Sequence, residues 1–205
     1  MPSIAILLLL VLLSAVAGAA AVWGWARHRC QSQLMAAADR DPVTGLVARR
    51  ALLESLARYR ALAERMQHPL TVLFIEVDER DLLLARLPLK AQQDLEQALA
   101  TRMLDRVRAY DQLGRWDCFQ YLLVMPQADV ASALVLVDDL RQVVASAALQ
   151  PAGWSQPLTV SVGLHGLHPG RHPEVQADAG LLVAAARRAL EATAADGPNR
   201  IEVEP

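Results

Sequence analysis

The stretch Arg108-Ala109-Tyr110-Asp111-Gln112-Leu113-Gly114-Arg115-Trp116-Asp117-Cys118-Phe119-Gln120-Tyr121-Leu122-Leu123-Val124-Met125-Pro126 decides the fold. It reads as a helix end, a short strand, a two-to-four-residue reversal around Asp117-Cys118, and a second strand whose run Tyr121 to Met125 is apolar enough to be a buried sheet member. A hairpin with helices closing before it and opening after it belongs at the centre of an α/β sheet, and its turn faces whatever site the domain has.

The neighbouring segments agree with that placement. Leu70 to Val77, Leu-Thr-Val-Leu-Phe-Ile-Glu-Val, is a β-rich run expected as a central strand, and acids gather at its end at Glu76, Asp78, Glu79 and Asp81. Leu52, Leu53, Leu56, Tyr59, Leu62 and Met66 recur at helical spacing before Gln67-His68-Pro69, and Lys90 to Val107 carries Leu95, Leu99 and Met103 on one face. After Pro126, Val130, Ala133, Leu134, Val137, Leu140 and Val144 mark another amphipathic helix. Leu158 to Leu164 reads as a strand, His165 to Pro173 as a Gly/Pro/His loop, Leu181 to Ala194 as a final helix and Ile201 to Val203 as a closing strand. No internal repeat is present.

Composition narrows the class. The chain has 205 residues, a formal net charge of -2 and 54% hydrophobic residues, so it builds one ordinary domain and offers no basic nucleic-acid surface. Cys30 and Cys118 are far apart without metal spacing, which argues against a disulfide framework. Residues Ile4 to Trp25 carry no charge and are long enough to cross a hydrocarbon core of about 30 Å. Arg27-His28-Arg29 follows the apolar run, and no basic residue precedes it. Residues 1–26 are therefore expected to be a single-pass anchor with the C-terminal domain in the cytoplasm, the alternative being a cleaved export signal ending near Ala17 to Ala21. Residues 27–40 continue as a juxtamembrane helix or linker, and 41–205 form the domain.

Five fragments in register carry a family resemblance: Asp41-Pro42-Val43-Thr44-Gly45-Leu46-Val47-Ala48-Arg49-Arg50, Phe74-Ile75-Glu76-Val77-Asp78, the hairpin itself, Thr159-Val160-Ser161-Val162-Gly163 and Gly197-Pro198-Asn199-Arg200. Together they resemble the GGDEF domain of bacterial diguanylate cyclases. That resemblance implies a five-stranded sheet wrapped by helices, akin to nucleotidyl cyclases and polymerase palms, here preceded by one transmembrane helix in the bacterial inner membrane. It also implies an ancestral reaction that joins two GTP molecules into cyclic di-GMP across a dimer interface.

Against the family pattern, the signature falls on Asp117-Cys118-Phe119-Gln120-Tyr121. Two glycines that approach a triphosphate become Asp117 and Cys118, a metal-ligating acid becomes Phe119, and a glutamate becomes Gln120. Phe119 cannot hold a hard cation that demands oxygen ligands, and only Glu76 remains where the family has its metal aspartate. The base-reading Asn and Asp positions are Leu84 and Gln93, and polar positions of the last helix are Arg187, Glu191 and Ala194. The expectation is a domain without catalysis and without a metal cofactor.

The family's product-binding site is an Arg-x-x-Asp set five residues before the signature, and Arg108-Ala109-Tyr110-Asp111 has that offset from Asp117. Arginine can bond guanine O6/N7 or a phosphate while a carboxylate accepts from guanine N–H groups. Arg102-Met103-Leu104-Asp105 shares the spacing but not the offset. Arg141 is the nearest candidate for the additional arginine that family members use. The resemblance thus implies a membrane-anchored cyclic di-GMP receptor through Arg108 and Asp111, signalling to a protein partner, with a homodimer as a further expectation. An exposed ion pair worth at most about 1 kcal/mol is the plain alternative for that tetrapeptide.

The rival function is a nucleotide-independent scaffold that uses the altered hairpin, with Trp116 and Phe119 as exposed partner anchors and Tyr121 in the core. The acids around Glu76 read as a solvated strand end, and His165, His168 and His172 as part of a surface loop.

Overall fold

The computed structural model describes residues 39–146, 157–168, 178–193 and 197–204. Arg40 to Pro205 form one compact unit. In chain order its elements are β1 (Val47–Ala48), α1 (Arg49–Met66), β2 (Leu70–Val77), α2 (Arg80–Arg86), α3 (Leu89–Leu104), β3 (Gln112–Asp117), β4 (Gln120–Pro126), α4 (Val130–Ser146), β5 (Val160–Leu167), α5 (Ala179–Thr193) and β6 (Ile201–Glu204).

They build one six-stranded sheet in the order β1-β3-β4-β2-β5-β6. β2 pairs antiparallel with β4 on one side, Phe74 opposite Leu122, and with β5 on the other, Phe74 opposite Gly163. The edges are parallel, β1 along β3 and β6 along β5. A strand flanked on both sides and covered on both faces must be apolar throughout, and every residue of β2 except Glu76 is buried. Its side chains alternate between two cores. Leu73, Ile75 and Val77 join Leu99, Met103, Val137 and Leu140 under α3 and α4, while Leu70, Val72 and Phe74 join Leu56, Leu182 and Val183 under α1 and α5. α5 lies close on β5 because Gly163 has no side chain: a Cβ there would stand 2.1 Å from the Ala186 carbonyl oxygen.

The structure corrects several expectations. The sheet has six strands rather than five, the extra one being β1, whose two residues are too few to leave a pattern in the sequence. α3 stops at Leu104 instead of Val107, and a seven-residue helix, α2, fills the segment after the acidic strand end. β5 runs on to Leu167, so His165 is a strand residue. The expected transmembrane helix and most of the juxtamembrane segment lie outside the described residues. Among the described residues no helix is long and apolar enough to cross a membrane.

Candidate functional site

The hairpin between β3 and β4 turns on Cys118-Phe119, with Phe119 in the left-handed region at φ 58°. A bulky residue takes that conformation only where its surroundings enforce it, and here two backbone hydrogen bonds and the core do. The Phe119 N–H donates to Glu96 Oε1 of α3 at 2.7 Å, its carbonyl accepts from the Val77 N–H at 3.0 Å, and its ring is fully buried.

Glu96 is itself 2% exposed, and Arg115 supports it with a two-pronged contact, Nε to Oε1 at 3.1 Å and Nη2 to Oε2 at 2.6 Å. The remaining arm of Arg115 reaches Asp41 Oδ2 at 3.1 Å. Burial pushes the Asp41 pKa up, but the Thr44 N–H, the Thr44 hydroxyl and Arg115 outweigh it and hold the carboxyl below its usual range. Burial favours the neutral form of Arg115 too, and its two carboxylate partners overcome this and raise its pKa. Asp41, Glu96 and Arg115 are thus a satisfied buried ion cluster beneath the turn. The sequence carried a signal for it: Glu96 falls on the inward stripe of α3 with Leu99 and Met103.

The carboxyl end of β2 is similarly self-satisfied. Asp78 Oδ2 accepts from the Thr159 hydroxyl at 2.5 Å and the Asn199 N–H at 2.8 Å, and Oδ1 accepts from the Ser161 hydroxyl at 2.6 Å. Gln120 Nε2 donates to Glu76 Oε2. Arg80 donates from Nε to the Cys118 carbonyl at 2.8 Å and pairs with Asp117 at 3.5 Å, clamping the outside of the turn. Glu76, Asp78, Arg80, Gln120 and Ser161 border an open cavity of about 590 Å³, walled also by Arg187 and Glu191, which pair with each other at 3.0 Å.

A hard divalent cation needs several free carboxylate oxygens around one point. Here Asp78 is committed to hydroxyls and an N–H, Glu76 to an amide, and an apolar ring occupies Phe119. That donor set does not suit such an ion, and among the described residues no group of three or more His, Cys, Asp or Glu is gathered to hold a metal. Leu84, at the expected base-reading position, packs against the core under α3, while Gln92 donates to the Leu84 and Leu87 carbonyls.

Arg108 and Asp111 lie in a reverse turn, not at a helix end: the Asp111 N–H donates to the Arg108 carbonyl at 3.1 Å, four residues beyond the end of α3. A closed turn still brings its first and fourth residues together. The Arg108 guanidinium is exposed and donates from Nη1 to the Tyr110 hydroxyl at 3.1 Å. Asp111 is 7% exposed, and neither carboxylate oxygen has a well-formed hydrogen bond, the Arg108 backbone N–H being a nearby but poorly aligned donor. Burial raises its pKa, with the Arg108 backbone and charge pulling part of the way back.

Arg141 is engaged by the segment before β6. Its Nε donates to Asn199 Oδ1 at 2.7 Å and its Nη2 to the Asn199 carbonyl at 2.5 Å.

The aromatic residues are also corrected. Phe119 is sealed in the core. Trp116 is half-buried, edge-on to Phe74 at 5.6 Å, with the Arg49 guanidinium 3.9 Å from its ring centre. Tyr121 is buried, as its position in the apolar run implied, and burial raises its pKa. His165 Nδ1 lies 3.3 Å from the Glu204 carbonyl oxygen across the β5–β6 pair, and burial lowers its pKa. His172 lies outside the described residues.

Known structures share this architecture. The coiled-coil and GGDEF segment of DgcB from Caulobacter crescentus, solved with c-di-GMP, superposes with a TM-score of 0.78 at 19% identity, over 94% of this chain and 98% of that one. The diguanylate cyclase SiaD from Pseudomonas aeruginosa, solved with its activator SiaC, gives 0.72 at 23% identity over 93% and 72% of the two chains. The FimX GGDEF domain from Pseudomonas aeruginosa gives 0.72 at 23% identity over 80% and 98%. At these identities the likeness speaks for the fold. No curated protein matches the chain. The family model described as diguanylate cyclase, GGDEF domain, matches residues 38–200, the span that holds the hairpin, the β2 end and the Arg108 turn, and the chain belongs to that family.

Proposed function

We propose that this protein is a non-catalytic GGDEF domain, anchored in the bacterial inner membrane and facing the cytoplasm, that binds cyclic di-GMP at the Arg108–Asp111 turn and passes its occupancy to a partner. One observation carries the reading. The turn presents an exposed guanidinium at its first residue and, at its fourth, a buried carboxylate with neither oxygen in a well-formed hydrogen bond. A buried carboxylate short of well-placed donors is a standing cost, and guanine N1–H and N2–H are donors that relieve it. Binding calls for the Asp111 side chain to rotate outward while Arg108 leaves Tyr110 for guanine O6/N7 or a phosphate. Arg141 is left out, because Asn199 holds its donors. DgcB, a relative of the same fold, was solved with c-di-GMP, which is consistent with this ligand.

The absence of catalysis is inferred from the same geometry. Phe119 fills the place of a ligand acid, Glu76 and Asp78 are committed to protein donors, and the Arg80–Asp117 pair occupies the turn where a triphosphate would need to approach. Incubation with GTP and Mg²⁺ should yield no cyclic di-GMP, and turnover abolished by Glu76→Ala would refute this part. The scaffold reading gains no support from the hairpin, since Phe119 is sealed and Trp116 lies against Arg49.

The test is calorimetric titration of the full chain with cyclic di-GMP. Micromolar or tighter binding, about 8 kcal/mol or more, lost in Arg108→Ala, supports the receptor. Affinity should also fall as the medium is acidified through the raised Asp111 pKa, because the protonated carboxyl loses acceptor capacity. A folded chain that binds none overturns it.

A further inference from the structure

We infer that Cys118, at the tip of the hairpin, is an oxidation site for small hydroperoxides, and that the oxygen of its sulfenic acid is received by Arg115 and by the hydroxyl of Tyr121. The site stands apart from the Arg108–Asp111 turn and holds whether or not that turn takes a nucleotide.

Two donors converge there on a poor acceptor. Arg115 Nη2 carries two hydrogens: one goes to Glu96 Oε2 at 2.6 Å, and the other is directed at Cys118 Sγ, 3.4 Å away. Tyr121 supplies the second donor. It stands opposite Arg115 across the β3–β4 pair, so both side chains leave the sheet on one face, and Tyr121 and Cys118 pack in the same core under α3. The Tyr121 hydroxyl is buried and has no hydrogen-bond partner, and after burial itself the groups that act on it are Glu96, Arg115, Asp41 and Cys118. A buried hydroxyl left without a partner costs free energy, and a thiol sulfur is too weak an acceptor to satisfy it. An oxygen bonded to Sγ is a strong acceptor placed between both donors.

The tip also holds the thiol in place. The Cys118 N–H donates to Asp117 Oδ1 at 2.8 Å, and its carbonyl accepts from Arg80 Nε at 2.8 Å. Cys118 is half-buried, open enough for a small peroxide, and among the described residues no second cysteine is present to condense with a sulfenic acid. In the reaction the thiol gives its proton to water and the sulfur attacks one peroxide oxygen. An S–O bond forms as the O–O bond breaks, and the departing hydroxide or alkoxide takes a proton from water. Sulfur loses two electrons, and the peroxide becomes water or an alcohol. A dithiol reverses the step, regenerating the thiol and leaving as its own disulfide with release of water.

The experiment exposes the full chain and its Cys118→Ser and Tyr121→Phe variants to a small excess of hydrogen peroxide. Sulfenic acid is trapped with dimedone and mapped by peptide mass spectrometry, and melting temperatures are recorded on untrapped samples. Wild type should carry the adduct on the Cys118 peptide, and dithiol added before the trap should remove it. Satisfying the Tyr121 hydroxyl should raise the melting temperature of the oxidised wild type by about 2–4 °C, a rise reversed by dithiol and absent from both variants. The adduct should fall about fivefold in Tyr121→Phe, where the sulfenic acid loses one donor and passes on to sulfinic acid. Adduct absent from Cys118, or confined to the Cys30 peptide, overturns the site. A melting temperature that falls on oxidation overturns it too, since the oxygen then has no room between the donors. Equal adduct and an equal melting shift in wild type and Tyr121→Phe would make Cys118 an ordinary exposed thiol and overturn the inference as well.

Discussion

Removing the guanidinium of Arg115 strands two carboxylates at once. Glu96 is 2% exposed and shares both its oxygens with Arg115, and Asp41 loses an ion pair at 3.1 Å. Breaking a buried pair by deleting one partner costs about 3–5 kcal/mol, so Arg115→Ala should lower the melting temperature by about 10 °C. Arg50→Ala, which deletes an exposed pair on α1, should move it by about 1 °C. Asp111 runs the other way. Its pKa is raised in the folded state, so the native form binds a proton more readily than the unfolded one. Its contribution to stability is therefore full at acid pH and lost as pH rises through the raised value. Asp111→Leu, which removes the poorly satisfied oxygens, should raise the melting temperature at neutral pH by about 2–4 °C. That advantage should fade as both proteins are acidified below the ordinary carboxylate range, while cyclic di-GMP binding is abolished throughout. A variant less stable than wild type at pH 7 would mean that Asp111 has a partner it lacks in this structure.

Among the elements, the hairpin shows which of two opposing effects dominates. Phe119→Gly removes a left-handed strain worth about 1–2 kcal/mol but also a fully buried ring, whose loss costs about 3–5 kcal/mol. The net should be a loss of roughly 2 kcal/mol, measurable as a shift in denaturant midpoint. A glycine at position 119 would therefore weaken the fold. The hairpin and β2 were legible in the sequence because long apolar runs bounded by polar turns leave a pattern that local composition carries. β1 and α2 were not, since two residues show no alternation and seven residues barely complete two turns of helix. The Arg108 turn was read as a helix end for a related reason. The apolar stripe of α3 ends at Met103, and nothing in Arg106-Val107-Arg108 announces that the chain has already left the helix.

At the scale of the whole molecule, what the sequence could not convey is long-range satisfaction. Asp78 read as part of a solvated strand end, whereas Thr159, Ser161 and Asn199, partners more than eighty residues away, hold its carboxylate. The ion cluster under the turn joins Asp41 to Arg115 across 74 residues and Glu96 to Arg115 across 19. Chemical type and offset from the signature were enough to single out Arg108 and Asp111, but burial of one and exposure of the other depend on how the turn docks. Membrane topology belongs at this scale too. An apolar run followed by Arg27 and Arg29 predicts that a reporter fused after Gln33 is active only in the cytoplasm, and activity only outside the cell would reverse the orientation.

The bond from the Phe119 amide to Glu96 also bears on time. A hairpin tip ordinarily exchanges its amide protons with solvent early, because its backbone opens without disturbing anything else. This tip is fastened to α3 from within, so the Phe119 amide should outlast those of the surface loops in deuterium exchange and be lost together with the β2 and β4 amides. The outermost point of the hairpin would then act as a clock for the opening of the whole domain.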